Sequence, residues 1–272
     1  MRILIVSDEV NPHGLSAAQL TQPGELSATL LTVAALNRSP LPESVLELPT
    51  DSLDQVTSRL TRARSDPTAY DVLIYFSHRI PNLPNAASLQ TAFVSAVQQF
   101  LRDGGGVISF HHGIYRLPGK EAMQSVLGGE AVGEVLWNTL QGQNVINVAP
   151  SHFITQNGLS YSMQVAFADL GLGIGAGNYA AFNNAPDERY PQLTLLPGSG
   201  RHQILFASNY ALGDGTHVLG YVYRQPDWAG KVVMYQPGEY QPNALSPGNN
   251  LQILLNAILY SRDWIHTHGF EG

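Results

Sequence analysis

Three apolar runs in this sequence lead directly into residues that can move protons. Ile3 to Ser7 is followed by Asp8, Glu9 and His13, Tyr70 to Ser77 by His78 and Arg79, and Val107 to Phe110 by His111, His112 and Gly113. Histidine, with an unperturbed pKa of about 6.5, can give or take a proton near neutrality. Nine histidines scattered at random would rarely supply all three junctions. A turn histidine bonded to the backbone is the alternative reading at each. His111 leads the set, because it follows a buried run and Gly113 permits a tight turn beyond it. Junctions of that kind raise a side chain above a sheet, close to backbone N–H groups. His112 is adjacent, points elsewhere and ranks lower.

Other residues could complete such a site. Glu239 and Tyr240 follow the run Lys231 to Tyr235 and offer a carboxylate base and a hydroxyl donor, or else a solvated loop. Trp137 and Asn138 could stack on and bond to a sugar ring, although a Trp filling the core fits as well. His78, His111, His152 and Glu239 together suit zinc or manganese by ligand type. None of the four stands at HxH or HxxxH spacing from another, so only the fold could assemble them. Asp187-Glu188-Arg189 and Arg262-Asp263 read as surface charges, and His266 and His268 as a frayed tail.

The elements that must position these residues alternate. Short strands are expected at Ile3 to Ser7, Val45 to Leu48, Tyr70 to Ser77 and Val107 to Phe110. Between them, helical spacing runs through Leu20, Leu26, Leu30, Val33 and Ala34, with Pro23-Gly24 interrupting. It returns through Leu53, Val56 and Leu60, and again through Leu89, Phe93, Val97 and Leu101. A short helix is expected at Glu121 to Leu127. Strand–helix alternation predicts a parallel sheet with helices on both faces, and the crossover rule makes it doubly wound. From Gly128 to about Leu196 the chain turns rich in Gly, Asn and Gln, an inserted excursion with short strands at Val145 to Val148 and Met163 to Phe167. Gly171 to Gly177 is low in complexity and reads as a loop. It lacks the flanking strand and helix of a dinucleotide fingerprint. Three β-like runs, Gln203 to Ala207, Val218 to Tyr223 and Lys231 to Tyr235, precede a closing helix at Leu251 to Tyr260. The expectation is one domain over 1–272, with the excursion at about 128–200. In such open sheets ligands bind beyond the carboxyl ends of the strands.

Composition narrows the function. Hydrophobic residues are 44% of the 272, enough for a sizeable core, and charged residues only 13%, so the surface relies on neutral polar groups. The net charge is −7, with no basic cluster of the kind nucleic acid or a membrane surface would need. The first residues read as a buried strand and not a signal peptide, and no run approaches the roughly 20 apolar residues of a membrane span. The cytoplasm is the expected compartment. The absence of cysteine excludes disulfides, thiolate metal sites and a Cys nucleophile. An apolar helix face leaves room for a homo-oligomer.

The stretch Gly104-Gly-Gly-Val-Ile-Ser-Phe-His111-His112-Gly113, with Tyr70-Asp-Val-Leu-Ile-Tyr-Phe-Ser-His78 before it, resembles the ThuA-like (trehalose utilisation) family of the class I glutamine amidotransferase-like superfamily. Three more segments resemble that family in order: Val126-Leu-Gly-Gly129, Pro150-Ser-His152-Phe-Ile-Thr-Gln-Asn-Gly158, and Gly230-Lys-Val-Val-Met-Tyr-Gln-Pro-Gly-Glu239. The resemblance covers most of the chain. It implies a flavodoxin-like fold, with His111 where true amidotransferases carry their cysteine nucleophile. Glutamine hydrolysis through a thiolate is therefore not expected. It also implies a place in disaccharide metabolism at the level of keto-sugars, with His78, His111 and His152 at motif positions. Two departures stand out. Glu239 replaces the family's His after Pro-Gly, and the stretch from Gln164 to Asp169 holds one acid where more are expected.

The functional expectation is an enzyme acting on a polar small molecule, such as a sugar or keto-sugar, by acid/base chemistry. His111 is the base or acid, His78 and Glu239 are its partners, and His13, His112, His152, Tyr240 and Trp137 bind substrate. No cofactor follows from the motifs beyond the optional divalent metal. The alternatives are a non-catalytic binding or assembly protein on the same fold, and a metal-dependent hydrolase.

Overall fold

The fold, seen in a computed structural model, is described over residues 1–7, 26, 30, 44–49, 52–78, 84–131, 136–137, 142–196, 198–209, 217–238 and 248–262. In chain order the first half comprises β1 (Arg2–Ser7), β2 (Ser44–Pro49), α1 (Leu53–Leu60), β3 (Val72–Phe76), α2 (Ala86–Arg102), β4 (Gly106–Phe110), a 3-10 turn (His111–Ile114) and α3 (Glu121–Leu127). The middle comprises β5 (Gly129–Ala131), β6 (Leu136–Trp137), β7 (Gln143–Asn147), α4 (Phe153–Gln156), β8 (Met163–Asp169), β9 (Ile174–Asn184), β10 (Glu188–Arg189) and β11 (Leu193–Leu195). The last part comprises β12 (Arg201–Ser208), β13 (His217–Arg224), β14 (Val232–Tyr235) and α5 (Asn249–Ser261).

Ten strands form one sheet in the order β2-β1-β3-β4-β14-β13-β12-β7-β9-β8. The first five are parallel to one another. From β14 outward every pairing is antiparallel. The parallel strands form because their residues are apolar on both faces, and both faces are covered. Along β1, Leu4 and Val6 point to one side, with Leu53, Val56, Phe93, Val97 and Met123 of α1, α2 and α3. Ile3 and Ile5 point to the other, with Leu251, Leu254 and Ile258 of α5. Each buried Leu or Ile contributes roughly 1.5–3 kcal/mol by leaving water. Leu26 and Leu30, helical and fully buried, join the α5 side. The rest of the helix expected around them lies outside the described residues.

Gly128 ends α3 at φ 76, and a Cβ there would strike the ring of Tyr223. One expectation is overturned. Leu170–Leu172 is a 3-10 turn and β9 starts at Ile174, so the glycine-rich stretch is half strand. The glycines of β9 pair with β8 alone, and β7 joins β9 only from Ala181 onward.

Candidate functional site

The site is assembled where β4 and β14 end. His111 is the first residue after β4, and its φ of 40° is the only positive value at a non-glycine among the described residues. An L-residue in that region costs about 1–3 kcal/mol and persists only where its surroundings impose it. Here they do. Gly113 follows two residues on, and a Cβ on it would strike the Tyr75 carbonyl oxygen and lie 2.8 Å from Ser109 Oγ. The turn therefore lies flat on the ends of β3 and β4 only because position 113 has no side chain. Lys120, fully buried, binds the same region from the other side. Its Nζ donates to the carbonyls of Ser77 and Tyr115, both at 2.8 Å, and more weakly to that of His112 at 3.3 Å.

His111 is itself fully buried. Its Nδ1 lies 2.7 Å from the carbonyl oxygen of Gln236, just past β14, and its Nε2 lies 2.9 Å from Glu188 Oε2. A carbonyl can only accept, so Nδ1 carries a proton. The other nitrogen then faces a carboxylate, and one proton is shared between Nε2 and Oε2. Tyr190 closes the group, its hydroxyl 3.1 Å from Glu188 Oε2 and 3.3 Å from His111 Nε2. His112 brings Nε2 to 3.8 Å from the same Oε2.

Glu188 and Tyr190 arrive from the excursion. β10 pairs with β6, Glu188 opposite Trp137. Asp187 anchors this arm, accepting from the Glu188 N–H at 2.9 Å and the Gly238 N–H at 3.0 Å. The Gln236 side chain clamps Tyr190 by accepting from its N–H at 3.1 Å and donating to its carbonyl at 3.2 Å. Reading Asp187-Glu188-Arg189 as surface charges is therefore wrong. All three are buried, with 1% of Glu188 exposed. Charge buried to this degree requires partners, and those partners stand up to 77 residues away.

The other expected residues separate. His78 is half-buried, stacked on Tyr115 at 4.9 Å and edge-on to His112 at 5.1 Å, so it borders the group. Tyr115 in turn stacks on Tyr190. His152 does not join. Its Nδ1 accepts the Ile154 N–H at the start of α4, and its ring meets Tyr260 near the end of α5. That is the opposite end of the sheet, beside Lys231, which precedes β14. Burial and the Lys231 charge push its pKa from 6.5 down to about 4. Four-way convergence of His78, His111, His152 and Glu239 is excluded by that placement. Trp137 lies on β6, but its side chain, like His13, Asn138, Glu239, Tyr240, His266 and His268, falls outside the described residues.

The donor atoms of His111, His112 and Glu188 lie within 4.8 Å of one another, so these three could hold a metal ion. A ligating His whose other nitrogen donates to a carbonyl is the usual second-layer arrangement of such sites, and His111 has it. No helix among the described residues is long and apolar enough to cross a membrane.

Solved structures share this architecture. A protein described as ThuA-like from Bacteroides uniformis is 17% identical, over 96% of this chain and 90% of its own, with a TM-score of 0.57. A second, from Parabacteroides merdae, is 12% identical over 96% and 90%, with a TM-score of 0.56. A cytoplasmic protein from Salmonella typhimurium is 12% identical over 96% and 99%, at 0.50. No family model and no curated protein sequence matches the chain. The solved structures support the ThuA-like resemblance, and at these identities what they establish is the fold.

Proposed function

We propose that this chain, on its ThuA-like fold, is an enzyme that moves a proton on a polar small molecule of the sugar or keto-sugar class. The core is taken as one doubly wound, flavodoxin-like domain carrying the excursion. One observation carries the reading: both nitrogens of a fully buried histidine, held at a strained elbow, face acceptors. The Gln236 carbonyl fixes the ring, and the proton between Nε2 and Glu188 Oε2 is the one that can be passed on. A carbonyl-bearing substrate would take that proton on its carbonyl oxygen and return to the pair the proton of the neighbouring carbon, while Tyr190 donates to the same oxygen. His78 and Tyr115, half-buried and stacked, offer the rings against which a sugar would lie.

The test is deuterium uptake next to the carbonyl in a panel of keto-sugars incubated with the protein in D2O. Wild type exchanges at least one member, and His111→Ala and Glu188→Gln, each still folded, do not. Undiminished exchange in either variant would sink the reading.

A second reading rests on the close approach of His112 to the same carboxylate. In it a divalent cation takes the place of the shared proton, and the chain is a metal-dependent hydrolase. Stoichiometric metal in purified protein, lost in Glu188→Gln, would favour it; metal-free protein that still exchanges deuterium would exclude it.

A further inference from the structure

The two edges of the ten-stranded sheet are built differently. β2 carries Glu47, ends on Pro49 and is preceded by Pro42 and Glu43. Proline and charge are the means by which sheet edges resist pairing with other strands. β8, at the far edge, has no proline, and its one charge is its last residue, Asp169. From Asn157 to Ala185 there is no proline and a single charge, Asp169, whose carboxylate accepts the Leu172 N–H. Among the described residues β9 is its only strand partner. Met163, Gln164, Ala166 and Ala168 are exposed, as are four consecutive residues of β9, Gly175 to Asn178, so the hairpin meets solvent on both faces. Leu170, at its turn, is 84% exposed.

We propose that β8 is an assembly edge whose partner is β8 of a second copy, paired antiparallel about a two-fold axis to join two sheets into one. The register shift after Phe167 limits the regular edge to Met163 through Phe167. The symmetric pairing is then centred on Val165. Met163 lies opposite the partner's Phe167, Gln164 opposite Ala166, and Val165 opposite itself. Met163, Val165 and Phe167 share one face, so the pairs form an apolar stripe of the kind that stabilises antiparallel strands. The two Asp169 carboxylates stay at opposite ends, and no like charges meet. A strand from a charged partner would find no counter-charge here, whereas a second copy is matched in both charge and register.

The native chain has no cysteine, so introduced ones report the register directly. Sedimentation of the wild type should give a species of twice the 29.5 kDa chain mass. Val165→Cys forms a covalent dimer on mild oxidation, because opposed Cβ atoms in antiparallel strands stand about 4.5–5.5 Å apart, near disulfide reach. Glu47→Cys on the other edge does not. Met163→Lys weakens dimerisation by roughly tenfold or more with an unchanged circular dichroism spectrum. A monomer up to the highest soluble concentration overturns the proposal. So does a dimer that Val165→Cys leaves uncrosslinked.

Discussion

Two buried histidines stand at opposite ends of this sheet, and they are buried to different purpose. His111, beyond the carboxyl end of β4, has a carbonyl on one nitrogen and a carboxylate on the other. His152, beside the amino end of β14, accepts a backbone N–H on Nδ1 and has no hydrogen-bond partner on Nε2 among the described residues. Its ring meets Tyr260, which also lies under Lys231 Nζ at 4.6 Å. That environment favours the neutral ring and keeps it neutral. Burial alone therefore does not make a histidine chemically useful; the acceptors around it do. The same sheet shows both cases because β10 brings a carboxylate to His111, whereas α4 and α5 give His152 a backbone N–H and an aromatic ring.

The comparison breaks first at Glu188. Glu188→Gln keeps the volume but removes the charge that shares the proton, and activity in the deuterium assay should fall roughly 10²- to 10⁴-fold. The matching change at the other end, His152→Asn, keeps a capping acceptor for Ile154 and should leave activity within about twofold. Next comes Lys120→Met. It strips donors from buried carbonyls at the elbow and should cost roughly 3 kcal/mol in chemical denaturation, with activity lost alongside. Gly113→Ala pushes a methyl into the Tyr75 carbonyl and should cost about 1–3 kcal/mol, again with activity lost.

The smallest effect concerns pH. Folding lowers the His152 pKa from 6.5 to about 4, so the unfolded chain binds the extra proton more readily. The contribution of His152 to stability is complete above pH 6.5 and fades as pH falls toward 4. His152→Asn should flatten the stability profile in that window. A wild-type profile already flat there would contradict the assigned environment.

Much of the fold was legible in the sequence, and the reason is physical. The parallel strands are buried on both faces, so they appear as unbroken apolar runs, as in Val72–Phe76 and Gly106–Phe110. The antiparallel half was harder to read. β9 passes through Gly175 and Gly177, where exposure and small side chains erase the alternation that marks a strand. His111 could be found because its role follows from a local junction. Glu188 could not, because a charged residue on a two-residue strand looks like surface until its distant partners are known. His152 shows the converse, where a motif position suggested a shared site and the topology put it at the far end.

The central claim concerns where the protons sit, and the most direct measurement is the imidazole nitrogen spectrum of uniformly 15N-labelled protein at pH 7. The account predicts opposite arrangements: His111 with its proton on Nδ1, held by the Gln236 carbonyl, and His152 bare on Nδ1 and protonated on Nε2. In Glu188→Gln the His111 Nε2 signal should move while the His152 signals stay put. A His111 ring without a proton on Nδ1, or one indifferent to the loss of the Glu188 charge, would contradict the account.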